Sequence, residues 1–99
     1  MRYGWPVIVT FDCAATERIF RGERSRRLPP DIQNTARRKL EYLHRARRLD
    51  DLRMPPGNRL EALAGNRRGQ HSIRVNDQWR ICFEWQDGNA AHVEIVDYH

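Results

Sequence analysis

The stretch Trp79-Arg80-Ile81-Cys82-Phe83-Glu84-Trp85 constrains the fold more than any other part of the chain. Trp79, Ile81, Phe83 and Trp85 fall on one side of an extended backbone, and Arg80, Cys82 and Glu84 on the other. Successive side chains of a strand point to opposite faces, so this pattern fits a strand with one buried face and does not fit a helix. A strand of this kind needs neighbours. His71-Ser72-Ile73-Arg74-Val75 also alternates and is joined to it through Asn76-Asp77-Gln78. Asp87-Gly88-Asn89 is a second hairpin signal, leading to a strand over residues 93–96. Residues 59–63 form a weaker strand candidate. The C-terminal part of the chain is therefore expected to be an antiparallel meander.

Before Gly57 the period differs. Val7-Ile8-Val9-Thr10-Phe11 is β-branched and reads as a first strand. Asp12 is the expected cap of a short helix over residues 14–20. A polar loop, Arg21-Gly22-Glu23-Arg24-Ser25-Arg26-Arg27, leads to Pro29-Pro30-Asp31, which opens the main helix. There Ile32, Ala36, Leu40 and Leu43 recur at helical spacing and make one apolar face. Arg37, Arg38, Glu41, Arg45 and Arg48 are assigned to the opposite side. Asp50-Asp51-Leu52-Arg53 adds a turn, and Pro55-Pro56-Gly57 ends it. The order of elements is an N-terminal strand, two helices, then three or four antiparallel strands. This is an α+β arrangement with the long helix packed on one face of the sheet. The other face is polar and carries Arg74 and Arg80. At 99 residues, of which 39% are apolar, the chain is expected to form one domain over residues 1–99.

Eighteen Lys+Arg stand against 13 Asp+Glu, a net charge of +5, and Lys39 is the only lysine. Arginine is planar, always charged and bidentate toward phosphate, so the excess suits nucleic acid, although base composition alone can enrich arginine on a surface. No stretch approaches the ~20 apolar residues of a membrane span. The start, Met1-Arg2-Tyr3-Gly4-Trp5-Pro6, has no signal-peptide pattern. Cys13 and Cys82 are far apart and are expected to be reduced thiols, so the expected location is cytoplasmic, without a membrane partner. His44, His71, His92 and His99 lack the spacing of metal ligands, and Gly65-Asn66-Arg67-Arg68-Gly69 lacks the lysine of a phosphate loop. No metal or cofactor is expected. Arg59, Glu61, Arg67, Arg68, Arg74, Arg80, Tyr98 and His99 concentrate in the C-terminal 41 residues. Singly, Glu61 reads as a solvated carboxylate, Arg80 as a strand arginine paired with Glu84 or Glu94, and His99 as a frayed terminus. Together they describe a small basic α+β domain that binds nucleic acid.

The stretches "PPGNRLEAL", "GQHSIRVNDQWRICF" and "DYH", with the helix "RRKLEYL", resemble the HigB branch of the RelE-like toxins, to which GraT-type toxins belong. The resemblance covers essentially the whole chain and agrees with the order of elements. It implies a toxin of a type II toxin–antitoxin pair: a ribosome-dependent endoribonuclease that cuts messenger RNA in the ribosomal A site and so inhibits translation and growth. It also implies a cognate helix-turn-helix (HigA-like) antitoxin, contact with the 16S rRNA of the ribosome and with mRNA, and operator DNA bound only through the antitoxin. In YoeB relatives a glutamate in the context matched by Leu60-Glu61-Ala62-Leu63 is the general base. HigB toxins often carry histidine at that position, and a basic residue where this chain has Ala64. The hairpin arginine of the family corresponds to Arg80, and its terminal tyrosine–histidine pair to Tyr98 and His99. Arg67 and Arg68 lie in a loop where relatives place basic residues near RNA.

The chemistry that fits is metal-independent attack by the 2′-hydroxyl of RNA on its own phosphate. It needs a base, a cation on the phosphoryl oxygens and an acid for the leaving oxygen. The candidates are Glu61, Arg80 and His99 in that order, with Tyr98 stacking on a base or orienting the phosphate. The carboxylate on His99 is expected to favour its imidazolium. Arg59, Arg74, Arg37, Arg38, Arg45 and Arg48 are candidate phosphate contacts. By strict alternation His99 shares its side with Val93 and Ile95, so meeting Arg80 calls for a bend near Asp97. None of Glu61, Arg80 and His99 is expected in the core, so variants there should melt close to the parent. The alternatives are a non-catalytic RNA- or DNA-binding module and a co-repressor subunit. In-frame cuts in translated messages would separate them from a nuclease.

Overall fold

The computed structural model of the chain describes residues 7–98. Its elements are α1 (Ala14–Phe20), α2 (Pro30–Arg45), β1 (Glu61–Ala62), β2 (Gln70–Arg74), β3 (Trp79–Gln86) and β4 (Asn89–Asp97). The four strands form one antiparallel sheet in the order β1-β2-β3-β4. The expected α+β, RelE-like arrangement is the one observed, with helices on one face of a meander.

Helix α2 begins with Pro30 in its first turn, where the missing N–H costs nothing. Ile32, Ala36, Leu40 and Leu43 are buried as the spacing predicts, and they meet Ile73, Ile81, Phe83, Val93 and Ile95 from the sheet. Removing each large apolar side chain from water contributes roughly 1.5–3 kcal/mol, so this layer holds the helix to the sheet. Helix α1 is too short to be stable alone. It is docked through Ala15 and Ile19, and through Thr16, whose Oγ1 accepts the Ile95 N–H of β4 at 2.9 Å.

Turn chemistry sets the register. Asn76 Oδ1 accepts the N–H groups of Gln78 and Trp79, both at 2.8 Å, which closes the β2–β3 hairpin. Asp87 and Gly88 both take positive φ, 51° and 80°, as a two-residue hairpin between right-twisted strands requires. One irregularity follows: Cys82 faces Glu94 but Glu84 faces Ala91, so β4 carries an extra residue, with His92 at φ 56°.

Four expectations are corrected. Residues 7–11 do not form a regular strand. They make two parallel bridges to β4, Ile8 to Ala90 and Phe11 to Val93, on either side of the bulge that interrupts a ladder. Asp12 does not cap α1: the residue before the helix is Cys13, without a side-chain cap, and Asp12 instead meets His92 Nδ1 at 2.9 Å. Arg48 is not on the α2 face, because the helix ends at Arg45 and Arg48 precedes the 3₁₀ turn Leu49–Arg53. The candidate strand over 59–63 shrinks to Glu61–Ala62, because Arg59 sits in the left-handed region (φ 46°, ψ 59°) after the 3₁₀ turn Pro56–Asn58.

Candidate active site

The alternation that buries Ile73 and Ile81 places Ser72, Arg74, Arg80 and Cys82 on the opposite face of the sheet. Within that face, Arg74 and Arg80 are direct register partners. Like charges directly opposite each other in an antiparallel pair are destabilising, by about 0.2–1 kcal/mol. Fold stability does not account for two guanidiniums at one rung.

These two arginines line an open cleft of about 380 Å³ together with Arg59, Glu61, Asn76, Asp77 and Tyr98. Among the described lining residues three guanidiniums face two carboxylates, an excess of one positive charge, which would balance the single negative charge of one phosphodiester. Arg74 donates to Asp77, whose side chain is 99% exposed, so water screens that pair and an anion can compete for the guanidinium.

Arg80 is held differently. It is buried, and its Nε donates to Ser72 Oγ at 2.7 Å while Nη2 donates to the Arg59 carbonyl at 2.6 Å. Its nearest carboxylate is Glu61, with Nη2 to Oε1 at 3.7 Å. Two of its nitrogens are thus spent on orientation, and Nη1 has no hydrogen-bond partner among the described residues. The pairing with Glu84 or Glu94 that a merely structural strand arginine would make is not found. Glu94 Oε1 instead accepts from Arg67 Nη1 at 3.2 Å, and Glu84 Oε1 accepts from Gln86. Nor is Arg80 the loosely held surface residue whose removal would leave the melting temperature unchanged.

Glu61 faces Ser72 in the β1–β2 register, which brings its half-exposed carboxylate to the Arg80 side of the sheet. Tyr98 continues that face on the other flank. Asp97 pairs with Trp79, and the Tyr98 N–H donates to the Gln78 carbonyl at 2.6 Å, leaving an exposed phenol at the cleft. Register runs unbroken from Cys82–Glu94 to Trp79–Asp97, so the irregularity of β4 lies at His92 and not near Asp97. His99 lies outside the described residues.

The structure therefore brings Glu61, Arg80, Tyr98, Arg59 and Arg74 together. The remaining arginines are placed elsewhere. Arg67 is tied to Gln70 and Glu94, and Arg68 is exposed just after the 3₁₀ turn Gly65–Arg67. Arg37, Arg38 and Arg45 surround a separate hollow on α2 with Tyr42 and Glu41, and Arg48 lies 3.9 Å from Asp51. His44 and His71 have packing roles, against Phe20 and Phe83 respectively. Cys82 lies near Arg80, Arg67 and Glu94, and burial pushes its thiol up from the ordinary value. Cys13 and Cys82 are both free. The residue that sequence reasoning missed is Ser72. Its signal was weak: a small hydroxyl on the same parity as Arg74, two residues before it. Among the described residues no helix is long and apolar enough to cross a membrane, and no cluster of three or more His, Cys, Asp or Glu is arranged to hold a metal.

Comparison with known proteins identifies the family of the chain. Residues 10–99 match the family described as HigB-like toxin, the RelE-like toxin of the type II toxin–antitoxin system HigB. The chain is 53% identical over 73 residues to Toxin HigB-1 of Vibrio cholerae, covering 74% of this chain and 77% of that protein. It is 32% identical over 74 residues to an uncharacterized protein of Haemophilus influenzae, covering 75% and 73% respectively. A family match over nearly the whole length, on a fold with this order of helices and strands, leads to one conclusion: the chain belongs to the HigB-like toxins, RelE-like toxins of type II toxin–antitoxin systems.

Proposed function

We propose that this toxin is a ribosome-dependent endoribonuclease that cuts messenger RNA in the A site without a metal. The observation that carries the reading is the like-charged rung Arg74–Arg80, flanked by a carboxylate and an exposed phenol. In the proposed reaction the scissile phosphate enters the cleft and binds Arg80, Arg74 and Arg59. It competes with Glu61 for the Arg80 guanidinium, which leaves Glu61 to take the 2′-hydroxyl proton. The 2′-oxygen attacks phosphorus, the bond to the 5′-oxygen breaks, and His99 supplies the proton that the leaving oxygen needs. The products are a 2′,3′-cyclic phosphate, opening to a 3′-phosphate, and a 5′-hydroxyl. Arg80 stabilises the charge that develops on the phosphoryl oxygens, and its fixed hydrogen bonds to Ser72 and to the Arg59 carbonyl avoid reorganisation during the step. Tyr98 stacks on a base of the message.

A toxin of this size presents few groups with which to orient a flexible message. The ribosome supplies that orientation, which is a large catalytic term. The net charge of +5 suits an RNA-walled site. As a type II toxin the chain has a cognate antitoxin. We assign it to the helix-turn-helix (HigA-like) class, with operator DNA reached through it. The test is to induce the chain in growing cells and map new 5′-hydroxyl ends. Cuts in frame within translated messages, lost in Arg80→Ala, are expected. Cuts in untranslated RNA, or none during growth arrest, would overturn the reading.

A further inference from the structure

Lys39 is the only lysine of the chain and it is buried in the middle of α2. Its Nζ donates to Asn58 Oδ1 at 2.5 Å, and Asn58 is fully buried. The Asn58 amide nitrogen in turn donates to the carbonyls of Leu52 and Met54, at 3.2 and 3.3 Å. One side chain of the main helix thus fixes a loop 19 residues away. Burial, then the nearby Arg38 and Arg74, hold the Lys39 ammonium below its ordinary pKa. Stability is a poor reason for this arrangement, because a buried charge replaced by an apolar group of similar volume is often neutral or stabilising. An arginine would not serve, since its fork needs more partners than one amide oxygen.

What the loop does next gives the reason. Asn58 ends the turn Pro56–Asn58, and Arg59 immediately adopts the left-handed conformation. That conformation is uncommon for a residue with a side chain and persists only where the surroundings impose it. Its carbonyl then meets Arg80 Nη2 at 2.6 Å, and its side chain enters the cleft. We propose that Lys39 and Asn58 are positioning residues for the phosphate site: by anchoring the turn to α2 they hold Arg59 left-handed, which aims its carbonyl at Arg80 and its guanidinium at the phosphate. The device acts on two of the three cleft arginines and touches no substrate. Its catalytic consequence rests on the nuclease reading above; its geometric consequence does not.

The test uses the full chain labelled with ¹⁵N. The Arg80 Nε–H resonance, assigned by its loss in Arg80→Lys, reports the bond to Ser72 and responds to inorganic phosphate. In Lys39→Met that resonance should shift and exchange with water faster. Phosphate should bind roughly tenfold more weakly, and single-turnover cleavage of ribosome-bound message should fall roughly 10–10²-fold, as expected for a misplaced group. Ile19→Val, which loosens the core away from the cleft, should leave resonance, phosphate binding and cleavage as in the parent. Should Lys39→Met fold poorly, Lys39→Gln takes its place: it retains an N–H donor and should give smaller shifts in the same direction. A parental Arg80 resonance and parental phosphate affinity in the Lys39 variant would overturn the proposal, whatever the cleavage rate. Absence of cleavage of ribosome-bound message by the parent chain would overturn the nuclease assignment instead, with the resonance still deciding the positioning role.

Discussion

Replacing Arg80 with alanine should damage stability and chemistry by separate routes, and both can be sized. The guanidinium is buried, and its removal leaves the Ser72 hydroxyl oxygen and the Arg59 carbonyl without their donor. An unpaired buried acceptor costs about 1–3 kcal/mol. Ser72 is fully buried and should lie near the middle of that range. Arg59 borders the open cleft, where water can replace the guanidinium, so its carbonyl belongs at the low end. Relief from desolvating a guanidinium offsets part of the sum, leaving about 2 kcal/mol. For a domain of this length that is roughly 8–16 °C in melting temperature. Glu61 adds little, since its carboxylate is 55% exposed and is not stranded by losing the pair. The chemical loss, that of a preorganised cation, should be about 10²–10³-fold in the single-turnover rate on ribosome-bound message. Calorimetry measures the first quantity. The second is measured at low temperature, where parent and variant are both folded. A variant that melts within about 2 °C of the parent would refute the reasoning, since buried hydrogen bonds of this geometry cannot be lost for so little.

Glu61→Gln and His99→Asn should each slow cleavage by ~10²–10⁴-fold, the usual worth of a general base or acid. Glu61→Gln should melt close to the parent because its carboxylate is half exposed, and a parental rate for His99→Asn would remove the imidazole from the mechanism. Arg45 and Arg48 are largely exposed and only loosely paired, with Glu41 at 3.7 Å and Asp51 at 3.9 Å. If both contact ribosomal phosphates, Arg45→Ala/Arg48→Ala should flatten the log–log salt dependence of ribosome binding by roughly 1.4–1.8, and an unchanged slope would mean that both are merely solvated. The His92 imidazole is raised above its ordinary value of 6.5 by its hydrogen bond to Asp12 and then by that carboxylate's charge. Its stabilisation is therefore complete below 6.5 and is lost as pH rises through the raised value. The melting-temperature gap between parent and His92→Gln should shrink as pH rises above the ordinary value of 6.5, and a constant gap would contradict the pairing.

Each of these residues was legible in the sequence to the extent that its role is local. Ile32, Ala36, Leu40 and Leu43 gave α2 through spacing alone, and Asp87-Gly88 gave the last hairpin because few dipeptides accept positive φ twice. Glu61 and the Tyr98–His99 pair were candidates by resemblance, and the described residues place Glu61 and Tyr98 on one cleft. The misses are contacts that local rules cannot see. Alternation told which face Arg80 occupies but not which of that face's groups it would reach. Glu94 was taken by Arg67 from a loop, and Arg80 turned to Ser72 and to a carbonyl that only a left-handed Arg59 can present. Asp12 looked like a cap until the β4 bulge brought His92 within reach. Lys39 carried no local sign of burial, since its partner lies 19 residues away.

Register explains why the core was an adequate guide to the cleft even so. Ile73–Ile81 and Arg74–Arg80 are consecutive rungs of one hairpin, the first facing the helices and the second facing the cleft. A slip of one residue would send the arginines into the apolar layer and the isoleucines into water. The burial of Ile73 and Ile81 therefore selects the one pairing that also sets two guanidiniums side by side. The Asn76 turn that closes this hairpin serves both faces at once, and Asn76 itself borders the cleft. The cost of the like-charged rung is carried by the apolar rung beside it. The site can thus be strained without being flexible, as a preorganised anion site requires.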